Sequence, residues 1–287
     1  MSDQPSADEA TVAALLRAAR ALLAERSDTA ALDAELLLAA TLGKPRSFLY
    51  AWPDHAPTAS VRARFEAAVA ARSSGTPVAY TLGVKEFFGI DLAVNPSVLI
   101  PRPDTETLVE CAIERIPMGS AVVDLGTGSG AVAVVLARER PDCRLLATDR
   151  SLPALRVAQG NARHHDCQVA WLCADWTSAL AARSVDVLLS NPPYVAEGDP
   201  HLAALAAEPV NALVSGRDGL DAIRAIVADA PRVLRAGGQL LLEHGWDQAA
   251  AVRALLCEAG FEAVESVRDL NGHERVSLGR RAADAIR

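Results

Sequence analysis

Hydrophobic residues in the first quarter of the chain recur at steps of three and four positions. One such stripe covers residues 12–23, a second covers residues 32–40, and a third covers residues 61–69. This period places the apolar side chains on one face of a helix. Since each stripe is about one face wide and must be covered, the pattern predicts an N-terminal helical bundle domain over residues 1–75.

The period shortens between Tyr80 and Asn95, where two short runs of apolar and β-branched residues flank Phe87-Phe88-Gly89. This arrangement predicts a β-hairpin. Two prolines follow soon after, and each fixes its own φ and restricts the residue before it. We therefore predict a β-hairpin linker over residues 76–98, followed by a second domain over residues 99–287.

Beyond residue 119 the pattern becomes an alternation of strands and helices. The predicted strands cover residues 121–124, 144–148, 169–173, 185–189, 239–243, 262–268 and 275–278. The predicted helices cover residues 130–140, 152–163, 220–234 and 248–259. Such alternation is typical of an α/β fold, here a doubly wound, mostly parallel sheet of seven strands covered on both faces. Ligands bind such sheets at the carboxyl ends of the strands, so we expect the functional site directly after them.

Composition narrows the class of protein. The chain has 287 residues, which at roughly 150 per domain suits two domains. Its formal net charge is −8, whereas a protein that neutralises nucleic-acid phosphates usually carries a positive charge. The five cysteines are scattered without a CxxC pair, which indicates a reduced environment and neither a disulfide framework nor a metal site. The N-terminus is acidic and polar, and no apolar run approaches the roughly 20 residues that span a bilayer, so we expect a cytoplasmic protein with no membrane segment.

A glycine-rich loop follows the first of these strands, with the sequence Asp124-Leu125-Gly126-Thr127-Gly128-Ser129-Gly130. Glycines allow a tight turn and close approach of the backbone to a ligand, and the N–H groups at the start of the next helix favour an anion. Gly126-x-Gly128-x-x-Ala131 also satisfies the dinucleotide-binding fingerprint. The loop therefore predicts a nucleotide-like cofactor, and a glycine turn that only packs helix on strand is the alternative.

Acidic and aromatic residues follow the next two strands. Asp149 comes 19 residues after Gly130, where its carboxylate could accept both hydroxyls of a ribose. Because nicotinamide cofactors and S-adenosylmethionine (AdoMet) both carry a ribose, Asp149 does not distinguish them, and an N-cap of the helix near Ser151 is its alternative role. Asp175-Trp176 follows the third strand, where the indole offers an apolar face to an adenine and the acid accepts from the exocyclic amine. An ordinary core or rim position is the alternative for Trp176.

The motif that selects the chemistry, Asn191-Pro192-Pro193-Tyr194, follows the fourth strand. The two prolines lack N–H donors and hold their carbonyls rigidly. The side-chain carbonyl of Asn191 and the backbone carbonyl of Pro192 could then accept both hydrogens of one planar NH₂ group, while Tyr194 packs on that group and offers its π face to a cation. This grip suits methyl transfer from the sulfonium of AdoMet, driven by positioning and without a strong base. A surface Pro-Pro turn is the alternative.

The chain resembles the peptide chain release factor N(5)-glutamine methyltransferase family, whose cofactor and substrate motifs match the glycine loop and the Asn-Pro-Pro-Tyr motif. The resemblance also includes Glu86-Phe87-Phe88-Gly89, Val98-Leu99-Ile100-Pro101-Arg102-Pro103-Asp104-Thr105-Glu106, Glu208-Pro209, Asp218-Gly219-Leu220, Glu243-His244-Gly245-Trp246 and Gln248. It covers nearly the whole chain. It implies an AdoMet-methyltransferase sheet, preceded by a helical domain that recognises the substrate.

The resemblance implies methylation of the glutamine side-chain amide in the Gly-Gly-Gln loop of class 1 release factors, with AdoMet as methyl donor and S-adenosylhomocysteine as product. It assigns AdoMet binding to Asp124, Gly126, Thr127, Gly128, Ser129, Gly130, Asp149, Asp175, Trp176 and Asn191. It assigns glutamine binding to Asn191, Pro192, Pro193 and Tyr194, with catalytic roles for Asn191, Pro192 and Tyr194. Arg102 and Glu106 would brace or border the substrate site, with an interdomain ion pair as the alternative.

Three other functions compete with this interpretation. An exocyclic amine of adenine or guanine in nucleic acid would fit the same grip, although the net charge of −8 opposes it. A nicotinamide dehydrogenase would leave the Pro-Pro loop unexplained. A catalytically inactive binding module for translation factors would not need Asp124, Asp149 and Asn191. We therefore expect a monomer whose partner is a class 1 release factor, with no direct nucleic-acid or membrane contact.

Overall fold

The chain divides into two units between Gly83 and Val84 in the computed structural model, which describes residues 11–283. The sequence predicts this boundary at residue 75 and assigns the next residues to the linker. Residues 78–82 instead form a helix that belongs to the first unit. Pro77 precedes this helix and Gly83, with a φ of +72°, ends it, so the turn is too short to show a helical period in the sequence.

Helices alone make up the described part of the first unit. They are α1 (Val12–Leu23), α2 (Ala30–Leu42), α3 (Arg46–Ala51), α4 (Ala59–Ser73) and α5 (Val78–Leu82). The three predicted stripes correspond to α1, α2 and α4, and their apolar residues pack into one core. Two carboxylates on α2 are also buried, and Glu35 accepts hydrogen bonds from Arg20 and Arg46 at 2.7 and 2.6 Å.

The second unit begins with the predicted hairpin, formed by the antiparallel strands β1 (Val84–Phe87) and β2 (Ile90–Ala93). The buried side chain of Asn161 ties its end to the glycine loop. Asn161 Oδ1 accepts from Ala93 N at 2.7 Å, and Nδ2 donates to Ala93 O at 3.0 Å and to Ser129 O at 2.8 Å. The hairpin is therefore held to the domain that follows it.

The sheet of the second unit has seven strands, in the order β5-β4-β3-β6-β7-β9-β8. Its strands are β3 (Ala121–Leu125), β4 (Arg144–Asp149), β5 (Val169–Cys173), β6 (Val185–Ser190), β7 (Leu234–Glu243), β8 (Phe261–Arg268) and β9 (Glu274–Arg281). The helices are α6 (Glu106–Arg115), α7 (Ala131–Glu139), α8 (Leu152–His164), α9 (Asp221–Val233) and α10 (Ala249–Glu258). Strands β3 to β7 run parallel, and β9 lies antiparallel between β7 and β8. The predicted α/β fold with a mostly parallel, seven-stranded sheet is confirmed.

The order of the strands reverses at β3. The chain passes outward from β3 to β4 and β5, then crosses to place β6 on the other side of β3. Leu125 at the end of β3 is paired with Ser190 at the end of β6, and Ser190 Oγ donates to Leu125 O at 2.6 Å. The loops that follow these two strands therefore start side by side, at the position where such sheets bind ligands. Within residues 11–283, no helix is long and apolar enough to cross a membrane.

Candidate active site

A cavity of about 430 Å³ lies at the carboxyl ends of β3, β4, β5 and β6, and this volume is within the usual range for a small-ligand pocket. Most of the predicted site residues line it: Arg102, Asp124, Gly126, Thr127, Gly128, Ser129, Asp149, Asp175, Trp176, Asn191 and Pro193. In the described part of the chain, the predicted residues that do not line it are Glu106, Gly130, Pro192 and Tyr194. The structure thus brings the predicted cofactor residues and Asn191 to one space.

The glycine loop wraps closely around the end of β4. The N–H groups of Gly126 and Thr127 both donate to Thr148 O at 2.9 Å. Gly126 has a φ of +73°, and a Cβ there would lie 3.1 Å from the indole of Trp176. Glycine is therefore required by both the backbone conformation and the indole. Trp176 itself forms part of the cavity wall, as predicted for an adenine-binding surface, with a φ of +46° that holds its backbone in the left-handed region.

Asp124 places a carboxyl at the floor of the loop. It is 2% exposed, and its Oδ2 accepts from the Thr127 hydroxyl at 2.6 Å. Burial raises the pKa of Asp124 to about 7, and the nearby Asp149 carboxylate adds to the shift, while the Thr127 hydrogen bond opposes it. Burial therefore favours the neutral form of the side chain that anchors the loop.

Asp149 supports the loops on both sides of it. Its Oδ2 accepts from Gly128 N at 2.9 Å, and its Oδ1 accepts from Ser151 N at 2.8 Å. The N-cap of α8 is Ser151, whose hydroxyl accepts from Ala154 N, so Asp149 does not have the alternative role of N-cap. Each carboxylate oxygen has more than one lone pair, which leaves acceptor capacity for hydroxyl groups in the cavity.

Asn191 is oriented by a residue that the sequence analysis did not assign to the site. Its Nδ2 donates to Thr105 Oγ1 at 3.0 Å, across 86 residues of sequence. With Nδ2 directed at Thr105, the Oδ1 of the carboxamide is left as an acceptor beside the cavity. The predicted role of Asn191 as an acceptor of amide hydrogens fits this orientation.

Tyr194 occupies a different position from the predicted one. Its ring is not part of the cavity wall, and its hydroxyl donates to Glu243 Oε1 at 3.4 Å. Burial raises the pKa of this phenol above its ordinary value, and the neighbouring Glu243 carboxylate contributes. The backbone is held as well, because Gln248 Nε2 donates to Tyr194 O at 3.0 Å and a Cβ on Gly219 would lie 2.2 Å from the same oxygen. In this structure Tyr194 secures the motif, and the prediction that its ring stacks on the substrate is not supported.

Arg102 and Glu106 have separate roles. Arg102 lines the cavity and pairs with Glu208, which is 5% exposed and also accepts from Ile100 N at 3.0 Å. This pair lies within the second unit, so it is not an interdomain bridge. Glu106 Oε1 accepts from Phe88 N at 3.1 Å in the hairpin turn. Glu106 therefore braces the hairpin, and the substrate contact predicted for it has no support in this position.

The cavity also has a wall that sequence reasoning missed. This wall is formed by residues of the segment between β6 and α9 and by the start of α9: Pro209, Asn211, Ala212, Val214, Ser215, Gly216, Asp221, Ala222 and Ala225. The segment has no regular period, so only the Glu-Pro and Asp-Gly-Leu motifs within it could have indicated a role.

The residues on this cavity fit AdoMet. The indole of Trp176 and the close backbone of the glycine loop form a narrow cradle, and Asp149 retains acceptor capacity for a ribose. Gly130 contributes from outside the cavity: its φ is +81° and a Cβ would lie 2.9 Å from that of Ala158, so it permits α7 and α8 to approach. The roles of the individual residues remain predictions.

Two protein-family models match parts of this chain. The model of the PrmC N-terminal domain matches residues 14–83, and that of the methyltransferase small domain matches residues 103–216. Among solved structures, a methyltransferase from Pyrococcus furiosus is 18% identical with a TM-score of 0.53, covering 78% of this chain and 100% of its own. The T. thermophilus 16S rRNA N2 G1207 methyltransferase, in complex with AdoMet and guanosine, is 22% identical with a TM-score of 0.53, covering 69% and 49%. These two structures support the methyltransferase fold.

Curated relatives are much more similar. The release factor glutamine methyltransferase of Xylella fastidiosa strain 9a5c is 47% identical over 86% of this chain and 92% of its own length. The protein of that name from Burkholderia pseudomallei is 49% identical, covering 94% and 96%, and that from Escherichia coli K12 is 43% identical, covering 89% and 94%. The chain therefore belongs to the release factor glutamine methyltransferase family and is an AdoMet-dependent methyltransferase.

Proposed function

We propose that this enzyme methylates the side-chain amide nitrogen of the glutamine in the Gly-Gly-Gln motif of class 1 peptide chain release factors. The observation that carries the proposal is the shared cavity of the glycine loop and Asn191, in which Thr105 holds the Asn191 nitrogen. A carboxamide fixed in this way presents an oxygen acceptor to an incoming NH₂ group. The relatives are named for the same reaction.

The cofactor half of the site lies at the carboxyl ends of β3, β4 and β5. The glycine loop and Trp176 would enclose AdoMet, and the Asp149 carboxylate would accept its ribose hydroxyls. When bound, AdoMet supplies a methyl group activated by a positively charged sulfur. Enclosure of that group among the residues that line the cavity would limit the access of water to it, which favours transfer to the intended nitrogen.

The acceptor half of the site works by orientation. Asn191 Oδ1 would accept a hydrogen bond from one N–H of the glutamine amide, which orients the nitrogen toward the methyl donor. The second acceptor proposed from the sequence, the backbone carbonyl of Pro192, belongs to a residue that does not line the cavity, so this contact would require the motif to shift when the substrate binds. The nitrogen becomes strongly acidic as the new N–C bond forms, so it releases one proton to solvent without a dedicated base. Arg102 and Pro193 line the same cavity and would border the path of the substrate.

The helical first unit is the proposed recognition domain for the intact release factor. A single glutamine tripeptide is too small to supply a specific protein interface, which usually buries on the order of 800 Å² on each partner. We therefore expect a chain that starts at residue 84 to bind AdoMet but to lose methylation of the intact factor. Equal rates with and without residues 1–83 would contradict this role.

The decisive experiment uses labelled AdoMet, an unmodified class 1 release factor, and the same factor with its loop glutamine changed to alanine. Label on the first factor and not on the second establishes both the reaction and the acceptor. Asn191→Ala should then abolish transfer while leaving AdoMet binding intact, and the exposed Asn271→Ala is the matched control. Label on neither factor, with label instead on ribosomal RNA or DNA, would refute the protein substrate and support the nucleic-acid alternative.

Two further parts of the proposal concern the state of the enzyme. We propose that it acts as a monomer, which sedimentation of the active enzyme with and without the release factor would test. We also place the reaction in the cytoplasm, because its substrate acts at the ribosome and the cysteines at 111, 143, 167, 173 and 257 are all free thiols in the structure.

A further inference from the structure

A fully buried carboxyl lies behind the acceptor loop and has no role in the mechanism above. Glu243 ends β7, is 0% exposed, and does not line the cavity. Its Oε2 is buried without a hydrogen-bond partner in the described part of the chain. Burying a carboxyl group with an unsatisfied oxygen costs stability, so a group retained in this state calls for an explanation.

The contacts of Glu243 lead to both ends of the Asn-Pro-Pro-Tyr motif. Its Oε1 accepts from the Tyr194 hydroxyl at 3.4 Å. The Thr105 hydroxyl is close enough to the same carboxyl to act on its pKa, and Thr105 Oγ1 accepts from Asn191 Nδ2 at 3.0 Å. Glu243 therefore contacts Tyr194 directly, and its link to Asn191 passes through the Thr105 hydroxyl, whose interaction with the carboxyl lowers the pKa of Glu243.

The charged neighbours of Glu243 largely oppose one another. Arg275, from β9, lowers the pKa of Glu243, and Asp104, which precedes α6, raises it; these two residues form an ion pair at 3.0 Å. Burial is the dominant influence and raises the pKa of Glu243 to about 7. A carboxyl in this setting acts as a local hydrogen-bonding group, since Arg275, the cation that acts on it, is already paired with Asp104 and Asp269.

We propose that Glu243 is a positioning residue of the methyl-acceptor site, which fixes Tyr194 directly and Asn191 through Thr105. The loop then presents the Asn191 carbonyl to the acceptor amide in one orientation. This inference rests on the proposed function, because it concerns the site that holds the glutamine. It assigns Glu243 no contact with either substrate.

The test compares Glu243→Met, which removes both oxygens, with Glu243→Gln, which keeps the shape and one acceptor oxygen. Glu262→Gln, a substitution of an exposed glutamate on β8, is the matched control. For each variant we would measure kcat and KM for an unmodified release factor, the Kd for AdoMet by calorimetry, and the melting temperature.

We expect Glu243→Met to lower kcat by about 10- to 100-fold, the size of effect that follows a small misplacement of a reacting group. The Kd for AdoMet should change by less than about twofold, and Glu243→Gln should recover kcat to within about threefold of the wild type. Thr105→Val should resemble Glu243→Met, and the double variant should show little further loss because the two residues act along one route.

Three results would overturn the inference. The first is a Glu243→Met variant with wild-type kcat, and the second is a Glu243→Gln variant that is as impaired as Glu243→Met. The third is a loss of AdoMet affinity in Glu243→Met that parallels its loss of kcat, which would indicate general damage to the site. Wild-type enzyme that transfers no label to the release factor would refute the proposed function and this inference together. Wild-type activity combined with any of the three results would refute the inference alone.

Discussion

Replacement of Asp149 by alanine is the sharpest test of the cofactor half of the site. The carboxylate accepts from Gly128 N at 2.9 Å and from Ser151 N at 2.8 Å, so it already holds both neighbouring loops. If it also accepts the two ribose hydroxyls of AdoMet, its loss removes four hydrogen bonds to one charged group. Binding should therefore suffer more than folding, because water can replace the carboxylate only in the free enzyme.

The magnitude follows from the hydroxyl contacts. A hydrogen bond to a charged group contributes about 1.5–3 kcal/mol, so two of them contribute about 3–6 kcal/mol. At 1.4 kcal/mol for each factor of ten, Asp149→Ala should raise the Kd for AdoMet by about 10²- to 10⁴-fold. Asp149→Asn should not restore binding, because its single carbonyl can accept from only one of the two backbone N–H groups and its NH₂ faces the other.

The assay is calorimetric titration of AdoMet into the wild type and the variants. Asp142→Ala is a suitable control, because Asp142 also accepts a backbone N–H, from Gly119 at 2.9 Å, and pairs with Arg140, but lies outside the cavity. We expect the control to leave the Kd unchanged. A rise of less than about threefold for Asp149→Ala would refute the ribose contact, since even one charged hydrogen bond is worth more.

Three stability predictions concern other positions. Gly130→Ala should lower the free energy of unfolding, measured by urea titration, by about 2–4 kcal/mol, because Gly130 has a φ of +81° and a Cβ would lie 2.9 Å from that of Ala158. The control is Gly119→Ala: Gly119 has a φ of +71° but open space around it, so this variant should cost only the backbone strain. The pKa of Glu243 is raised from 4.5 to about 7, so its contribution to the free energy of unfolding is complete below about pH 4.5 and is lost as pH rises to about 7. Over this interval the wild type should lose up to about 3 kcal/mol more of its free energy of unfolding than Glu243→Gln. An equal pH dependence of the two proteins would contradict the buried carboxyl. Arg102→Met should destabilise the protein by about 1–3 kcal/mol because it leaves its buried carboxylate partner unpaired, and an unchanged urea midpoint would show that the ion pair is dispensable.

The sequence alone was sufficient to predict the sheet and the residues at the ends of its strands. Parallel strands buried on both faces give continuous apolar runs, and the polar residues that interrupt them, such as Asp149 and Asn191, stand where the strands end. The strand order then brings these ends together, so a polar residue that directly follows one of these strands can be predicted to lie at the cavity. Short helices such as α3 and α5 escaped detection because one or two turns display no period.

Contacts between distant segments could not be predicted in this way. Thr105 reaches Asn191 across 86 residues, and Arg102 reaches Glu208 across 106, with no local pattern that marks either pair. The orientation of Tyr194 is also a product of packing, because a buried carboxyl and a glutamine from other elements decide it. Residue type suggested a stacking role for its ring, whereas tertiary contacts place its hydroxyl against Glu243 and its ring outside the cavity wall.

The carboxamide of Asn161 connects the hairpin to the cofactor loop through hydrogen bonds. Three hydrogen bonds from this single buried group join the backbone of Ala93, at the end of the hairpin, to that of Ser129, in the loop that would hold AdoMet. The hairpin follows directly in the chain after the unit proposed to engage the release factor. Loss of this one carboxamide would consequently loosen the end of the hairpin and the cofactor loop at the same time.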